Sequence, residues 1–143
     1  SKFIGCIFVA VGFAVSFAAL YTVIGSLSSN KAMTIIYTFS VFIILVMAAS
    51  ALYDRLGEPE MNEGMQLIGT QLVEMEPTPN PLYLSGMIRT VCEVALELLP
   101  TGQALLLSDV AIEYPVRAIA LSVVFTTVTL LVGGMLFKKK DIK

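Results

Sequence analysis

The chain has 143 residues, of which 57% are hydrophobic and 14% charged, with nine bases, eleven acids and no histidine. A typical soluble domain is roughly 45–50% apolar and about 25% charged, so a chain of this composition cannot clothe its core in polar surface and is expected in a bilayer instead. The missing histidine removes His-based acid–base catalysis and His-ligated metal sites, two cysteines are too few for a disulfide framework or a Cys-rich zinc site, and no basic face marks a nucleic-acid partner.

The first apolar run, Phe3–Ile24, is uncharged over 22 residues. At about 1.5 Å per residue it reaches roughly 33 Å, enough for a hydrocarbon core of about 30 Å. It is too long for the h-region of a signal peptide, and the start at Ser1 reads as a truncation of a longer protein. Ala10, Ala14 and Ala18 recur every four residues, beside Gly12 and Ser16. Small residues at that spacing let helices approach closely in lipid, so the stripe is a candidate packing face for other spans or a second subunit. The ordinary alternative is the small-residue richness common to membrane helices.

A short turn, Gly25–Lys31, follows. Gly25 can take the left-handed conformation that often ends a helix, and so tight a connection predicts that the first two helices are antiparallel neighbours. The second span, Met33–Leu52, is again uncharged, and Asp54 with Arg55 ends it. The third, Ala118–Phe137, has Pro115 just before it and Lys138–Lys140 just after. Gly133 and Gly134 are further packing candidates. Thr126, Thr127 and Thr129 either form a polar stripe facing a pathway or bond to their own helix carbonyls.

Between the second and third spans lies an acidic loop. Ten of the eleven acids fall between Asp54 and Glu113, against two bases, Arg55 and Arg89. Leu84, Met87, Ile88, Val91, Val94, Ala95 and Leu98 recur at helical spacing, with Arg89, Glu93 and Glu97 opposite them, which predicts an amphipathic helix over Leu84–Leu99. Pro100 is expected to end it, and Thr101 to cap a second short helix, Gly102–Ser108. The first is expected to lie in the membrane interface and the second to dip in and return among protein. Leu56–Met75 is ambiguous, with Leu67–Val73 either helix or strand, and Pro77, Pro79 and Pro81 predict an extended connector. The acids show no EF-hand-like spacing and are expected to form a solvated surface. Cys6 and Cys92 are expected to be buried free thiols rather than a disulfide.

The fold class is therefore an all-α integral membrane protein: a two-span hairpin over 1–53, a loop with short broken helices over 54–114, and a last span with a basic tail over 115–143. The Lys138–Lys140 cluster with Lys143 predicts a cytoplasmic C-terminus and an external loop 54–114 in a multi-pass plasma-membrane protein, with Lys2 and Arg117 as mild exceptions. No phosphate loop of the P-loop type, nucleophile elbow or zinc-protease helix is present, and no charge lies within a span to run a proton relay.

Three stretches carry a family likeness: Asn80-Pro81-Leu82-Tyr83-Leu84-Ser85-Gly86 with Arg89, then Leu99-Pro100-Thr101-Gly102-Gln103-Ala104, then Phe137-Lys138-Lys139-Lys140-Asp141-Ile142-Lys143. In this order, among these spans, the chain resembles the C-terminal half of an ABC type-2 export permease, spans four to six. The resemblance implies a non-enzymatic permease that pairs with a second permease copy or half in membrane lipid and binds two cytoplasmic ABC ATPase subunits, so that ATP is held by the partner and no cofactor by this chain. It implies an external gate formed by the two loop helices, with Arg89, Glu93, Pro100, Thr101, Gly102 and Gln103 as candidate residues. It does not account for the acidic Leu56–Met75 insert. A rival reading is a membrane-anchored binding or sensor protein whose external loop captures a ligand.

Overall fold

The computed structural model describes residues 2–28, 30–62, 64–68, 71–74, 76–109 and 112–141, with the backbone alone at 2, 65–68, 71–74, 140 and 141. The expectations attached to Ser1, Ser29, Glu63, Met75, Ile142 and Lys143, and to the side chains of Lys2, Glu74 and Lys140, lie outside what is described.

Five helices occur among the described residues: α1 Lys2–Leu27, α2 Lys31–Gly57, α3 Gly86–Leu98, α4 Pro100–Ser108 and α5 Pro115–Asp141. Of these, α1, α2 and α5 are long and apolar enough to cross a membrane. They overrun the uncharged stretches that predict them. Asp54 and Arg55 lie within the last turn of α2, and Lys138 and Lys139 continue α5. A charge is costly at mid-bilayer depth, but it does not interrupt backbone hydrogen bonding where a helix leaves the hydrocarbon. Gly25 does not end α1 either. The Ser28 amide still donates to the Ile24 carbonyl at 3.1 Å, and Ser26 Oγ donates to Val23 O at 2.8 Å. At the start of α2, Asn30 is the cap, its side-chain oxygen accepting from the Ala32 amide at 2.9 Å.

The expected pairing of α1 with α2 is only a minor contact. The principal partner of α1 is α5, and α4 packs on both α1 and α2. Gly5 faces Pro115, Gly12 faces Ser122 and Val23 faces Gly133, so each pair is 110 positions apart and the two helices run parallel in one register. A Cβ at Gly5 would come within 2.9 Å of Pro115, and one at Gly12 within 2.9 Å of Ser122 Oγ. Glycine at these positions lets the backbones close up. The direct α1–α2 contact includes Phe17 against Phe42, with ring centroids 6.1 Å apart.

The loop is not wholly helical. Strand β1 (Met61–Asn62) pairs with β4 (Thr78–Pro79), and β2 (Met65–Ile68) with β3 (Gln71–Glu74), both antiparallel. The two ladders nest, with Met65 opposite Glu74 and Ile68 opposite Gln71, as an interrupted hairpin between α2 and α3. The described parts of Leu67–Val73 are therefore strand, the second of the two alternatives, and the short ladders sit as an insert on a frame that is otherwise helical as expected. Pro79 closes its outer ladder, a two-stranded edge position that a residue without an N–H tolerates. After the hairpin, Asn80 pins the chain to the end of α2. Its Nδ2 donates to Glu58 Oε2 at 2.9 Å and to Pro59 O at 3.0 Å, and its Oδ1 accepts from the Leu82 amide at 2.9 Å.

Helices α3 and α4 form an elbow bent by 96°. The break falls at Leu99, whose extended backbone (φ −74°, ψ 127°) serves as C-cap of α3 and N-cap of α4. Pro100 therefore begins α4 as its first residue, where its missing N–H is no loss. Thr101 is not the cap expected of it. Its hydroxyl donates instead to the Leu45 carbonyl of α2 at 2.8 Å.

Candidate functional site: a charged cleft at the helical elbow

The elbow sets which way the two faces of α3 point. Its apolar ridge points outward, with Met87, Ile88 and Val91 exposed at 83%, 63% and 60%, while Arg89, Glu93 and Glu97 turn inward. Four-residue spacing stacks those three on one helix face. They line a cleft of about 310 Å³ closed on its other sides by Tyr53 and Leu56 of α2, Leu106 of α4, and Glu113 and Arg117 at the start of α5.

Each arginine is held by a carboxylate and an aromatic ring. Arg117 grips Glu97 with both arms of its fork, Nε to Oε2 at 2.7 Å and Nη2 to Oε1 at 2.5 Å, and its guanidinium lies 4.9 Å from the centre of the Tyr114 ring. Paired planar geometry of this kind is the strong form of the ion pair. Arg89 meets Glu93 at 3.1 Å one turn along the same helix, donates to the Leu56 carbonyl at 3.3 Å, and lies 5.4 Å from the Tyr83 ring centre. The first pair therefore ties α3 to α5, and the second arginine ties α3 to α2. The Tyr53 hydroxyl donates to the Asp109 carboxylate, joining the end of α2 to the end of α4.

Below the cleft the polar groups continue inward as a column. Gln103 is 1% exposed, and its Nε2 donates to Glu97 O at 2.7 Å and Ala118 O at 3.1 Å. Its Oε1 lies 2.9 Å from the Ser122 hydroxyl. One turn further along α5, Ser16 Oγ of α1 meets Thr126 Oγ1 at 3.2 Å. Every buried side-chain polar atom among the described residues has a partner. In an apolar setting this matters, because each orphan would carry its full desolvation penalty.

The sequence-derived candidates divide accordingly. Arg89 and Glu93 reach the cleft, while Pro100, Thr101, Gly102 and Gln103 are buried at the head of α4 beneath it. Gly102 is an obligatory small residue, since a Cβ there would collide with the Leu96 carbonyl oxygen. Gly133 packs on Val23, whereas Gly134 is exposed with open space around it. Ala10, Ala14 and Ala18 are all exposed, on the side of α1 opposite the face that meets α5. Cys6 and Cys92 are free thiols, half-buried rather than buried. Of the Leu56–Met75 acids expected to form a solvated surface, Glu60 is exposed and Glu58 accepts from Asn80, while Glu63 and the Glu74 side chain lie outside what is described; further along, Glu93 and Glu97 are engaged by Arg89 and Arg117.

Residue-by-residue reading missed Tyr53, Arg117, Ser122 and Ser16 as members of the site. Arg117 carried a usable signal, because an arginine at the span end opposite the lysine cluster calls for an internal carboxylate. The groups assembled here are two guanidiniums, several carboxylates and a phenol, already exchanging hydrogen bonds with one another. That set suits reversible recognition of a polar or charged group better than covalent chemistry. Comparison with protein-family models, curated proteins and solved structures finds no match to this chain.

Proposed function

We propose that the chain is a membrane-spanning permease subunit of an ATP-driven ABC exporter, forming part of the substrate pathway. In this reading α1, α2 and α5 cross the plasma membrane, the loop 54–114 is external, and the C-terminus is cytoplasmic beside separate ATPase subunits. The observation that carries it is the elbow. An apolar helix pair bent by 96°, with the head of α4 buried against two candidate spans, is the kind of broken helix that membranes tolerate only when protein surrounds it. Such elements line pathways. The likeness of three sequence stretches to ABC type-2 permeases supplies the transport class, and the lysine cluster after the apolar part of α5 supplies the orientation. A self-contained binding loop is disfavoured because the cleft takes part of its wall, Tyr53, Leu56, Gly57 and Arg117, from α2 and α5.

The test is reconstitution of the complete permease with its ATPase partner in proteoliposomes. Solute movement and permease-stimulated ATP hydrolysis are expected. A complex that is assembled yet neither hydrolyses ATP faster than the ATPase alone nor moves any solute overturns the reading.

A further inference from the structure

A second cavity bears on what such a permease would carry. It lies between α1, α2 and α4, measures about 240 Å³, and is walled by Phe13, Phe17, Phe42, Val46, Ala104 and Leu105. Thr101 also borders it, but that hydroxyl already donates to Leu45 O at 2.8 Å. Phe13 and Phe17 fall midway along α1, and Phe42 and Val46 midway along α2, so the cavity sits at mid-depth of the spans. Its mouth is lateral: Phe42 and Val46 remain 40% and 37% exposed.

Physical chemistry narrows the occupant. A water needs about two to four polar partners, and this wall offers none to spare. A polar ligand would forfeit its hydrogen bonds on entry. A drug-sized molecule calls for roughly 300–1,000 Å³, more than is present. A slim, flexible hydrocarbon fits the volume, the aromatic walls and the depth.

We propose that this cavity binds one alkyl chain of the transported substrate, an amphiphile that enters sideways from the bilayer between α1 and α2. The proposal rests on the exporter reading and names its substrate class. This chain contains no tryptophan, so Phe42→Trp adds a fluorophore to the cavity wall and Ile44→Trp, at a position 64% exposed on the outside of α2, adds its control, each read as the difference from the unsubstituted protein. Each full-length variant is placed in phospholipid nanodiscs and titrated with a lysophospholipid carrying a brominated chain. Saturable quenching near one equivalent is expected at Trp in place of Phe42, with only linear, collisional quenching at Trp in place of Ile44. Ala104→Phe and, independently, Val46→Phe fill the cavity from opposite walls and are expected to abolish the saturable phase with helix content unchanged. Parallel quenching at both reporters, the result of a cavity held by bulk phospholipid, overturns the proposal, as does a saturable phase that survives both filling variants. Transport activity without saturable quenching removes this inference alone; saturable quenching without transport removes the exporter and leaves a lipid-binding site.

Discussion

At the residue scale, Gln103 concentrates more structure than any other side chain in the elbow. Its amide hydrogens join the last turn of α3 to the first turn of α5, and its oxygen faces Ser122. The Glu97 carbonyl stands at the C-terminal end of α3, where helix carbonyls lack an intrahelical partner. Gln103→Leu preserves the approximate volume but strands that carbonyl, and a buried orphan costs about 1–3 kcal/mol. Gln103→Glu is expected to be worse at neutral pH, since a carboxylate presents only acceptors to two carbonyl oxygens. The order wild type, then Leu, then Glu in thermal unfolding of the detergent-purified protein is the check. A Glu variant as stable as wild type would mean that the side chain does not bridge those carbonyls. Nothing in the sequence singles out Gln103 for this role, because its partners are 6, 15 and 19 positions away in the chain.

At the element scale, the three spans were legible because crossing a bilayer is a matter of composition and length, both of which are local properties. Their pairing was not. The α1 seam runs Gly5, Val9, Gly12, Ser16, Ala19, Val23, in alternating steps of four and three that keep one helix face against a parallel neighbour. The alanine stripe at 10, 14 and 18 is equally regular and lies on the opposite side of the helix, so periodicity alone could not choose between two small-residue faces. The amphipathic pattern of α3 was similarly readable, but the partners of its charged face were not, because they come from α2 and α5, far away in the chain. With Cys6 and Cys92 replaced by Ser, the seam predicts that Ser16→Cys with Thr126→Cys forms a disulfide on mild oxidation, since the native hydroxyls lie 3.2 Å apart. Ala14→Cys with Thr126→Cys should stay reduced. Cross-linking of the second pair in place of the first, read by gel mobility after cleavage of the connecting loop, would refute the register.

At the scale of the whole molecule, the α1–α5 seam is closer than any packing that α2 makes. Helices α1 and α5 share a close, glycine-lined seam, and the elbow is fastened to α5 by the Arg117–Glu97 fork and by Gln103. Helix α2 has no comparable seam. It packs on both helices of the elbow and is tied to them by Thr101 to Leu45 O, Arg89 to Leu56 O and Tyr53 to Asp109, with an apolar cavity where it meets α1 and α4. Exchange of a few hydrogen bonds would let α2 shift against the elbow, and that motion would widen both the cavity and the cleft. Switching elements are those whose packing admits two arrangements, and a helix that borders a void meets that condition better than one in a tight seam. On the proposed exporter reading, tying α2 to the elbow in the reconstituted complex should therefore arrest transport. Ala49 is fully buried on α2 one turn beyond the Leu45 carbonyl that Thr101 touches, so Ala49→Cys with Thr101→Cys provides the tie. Oxidation of that pair is expected to stop solute movement and reductant to restore it, whereas oxidation of the Ser16→Cys/Thr126→Cys pair leaves transport near the rate of its reduced form. Transport that survives the first tie, or fails reversibly with the second, would place the moving joint between α1 and α5 instead.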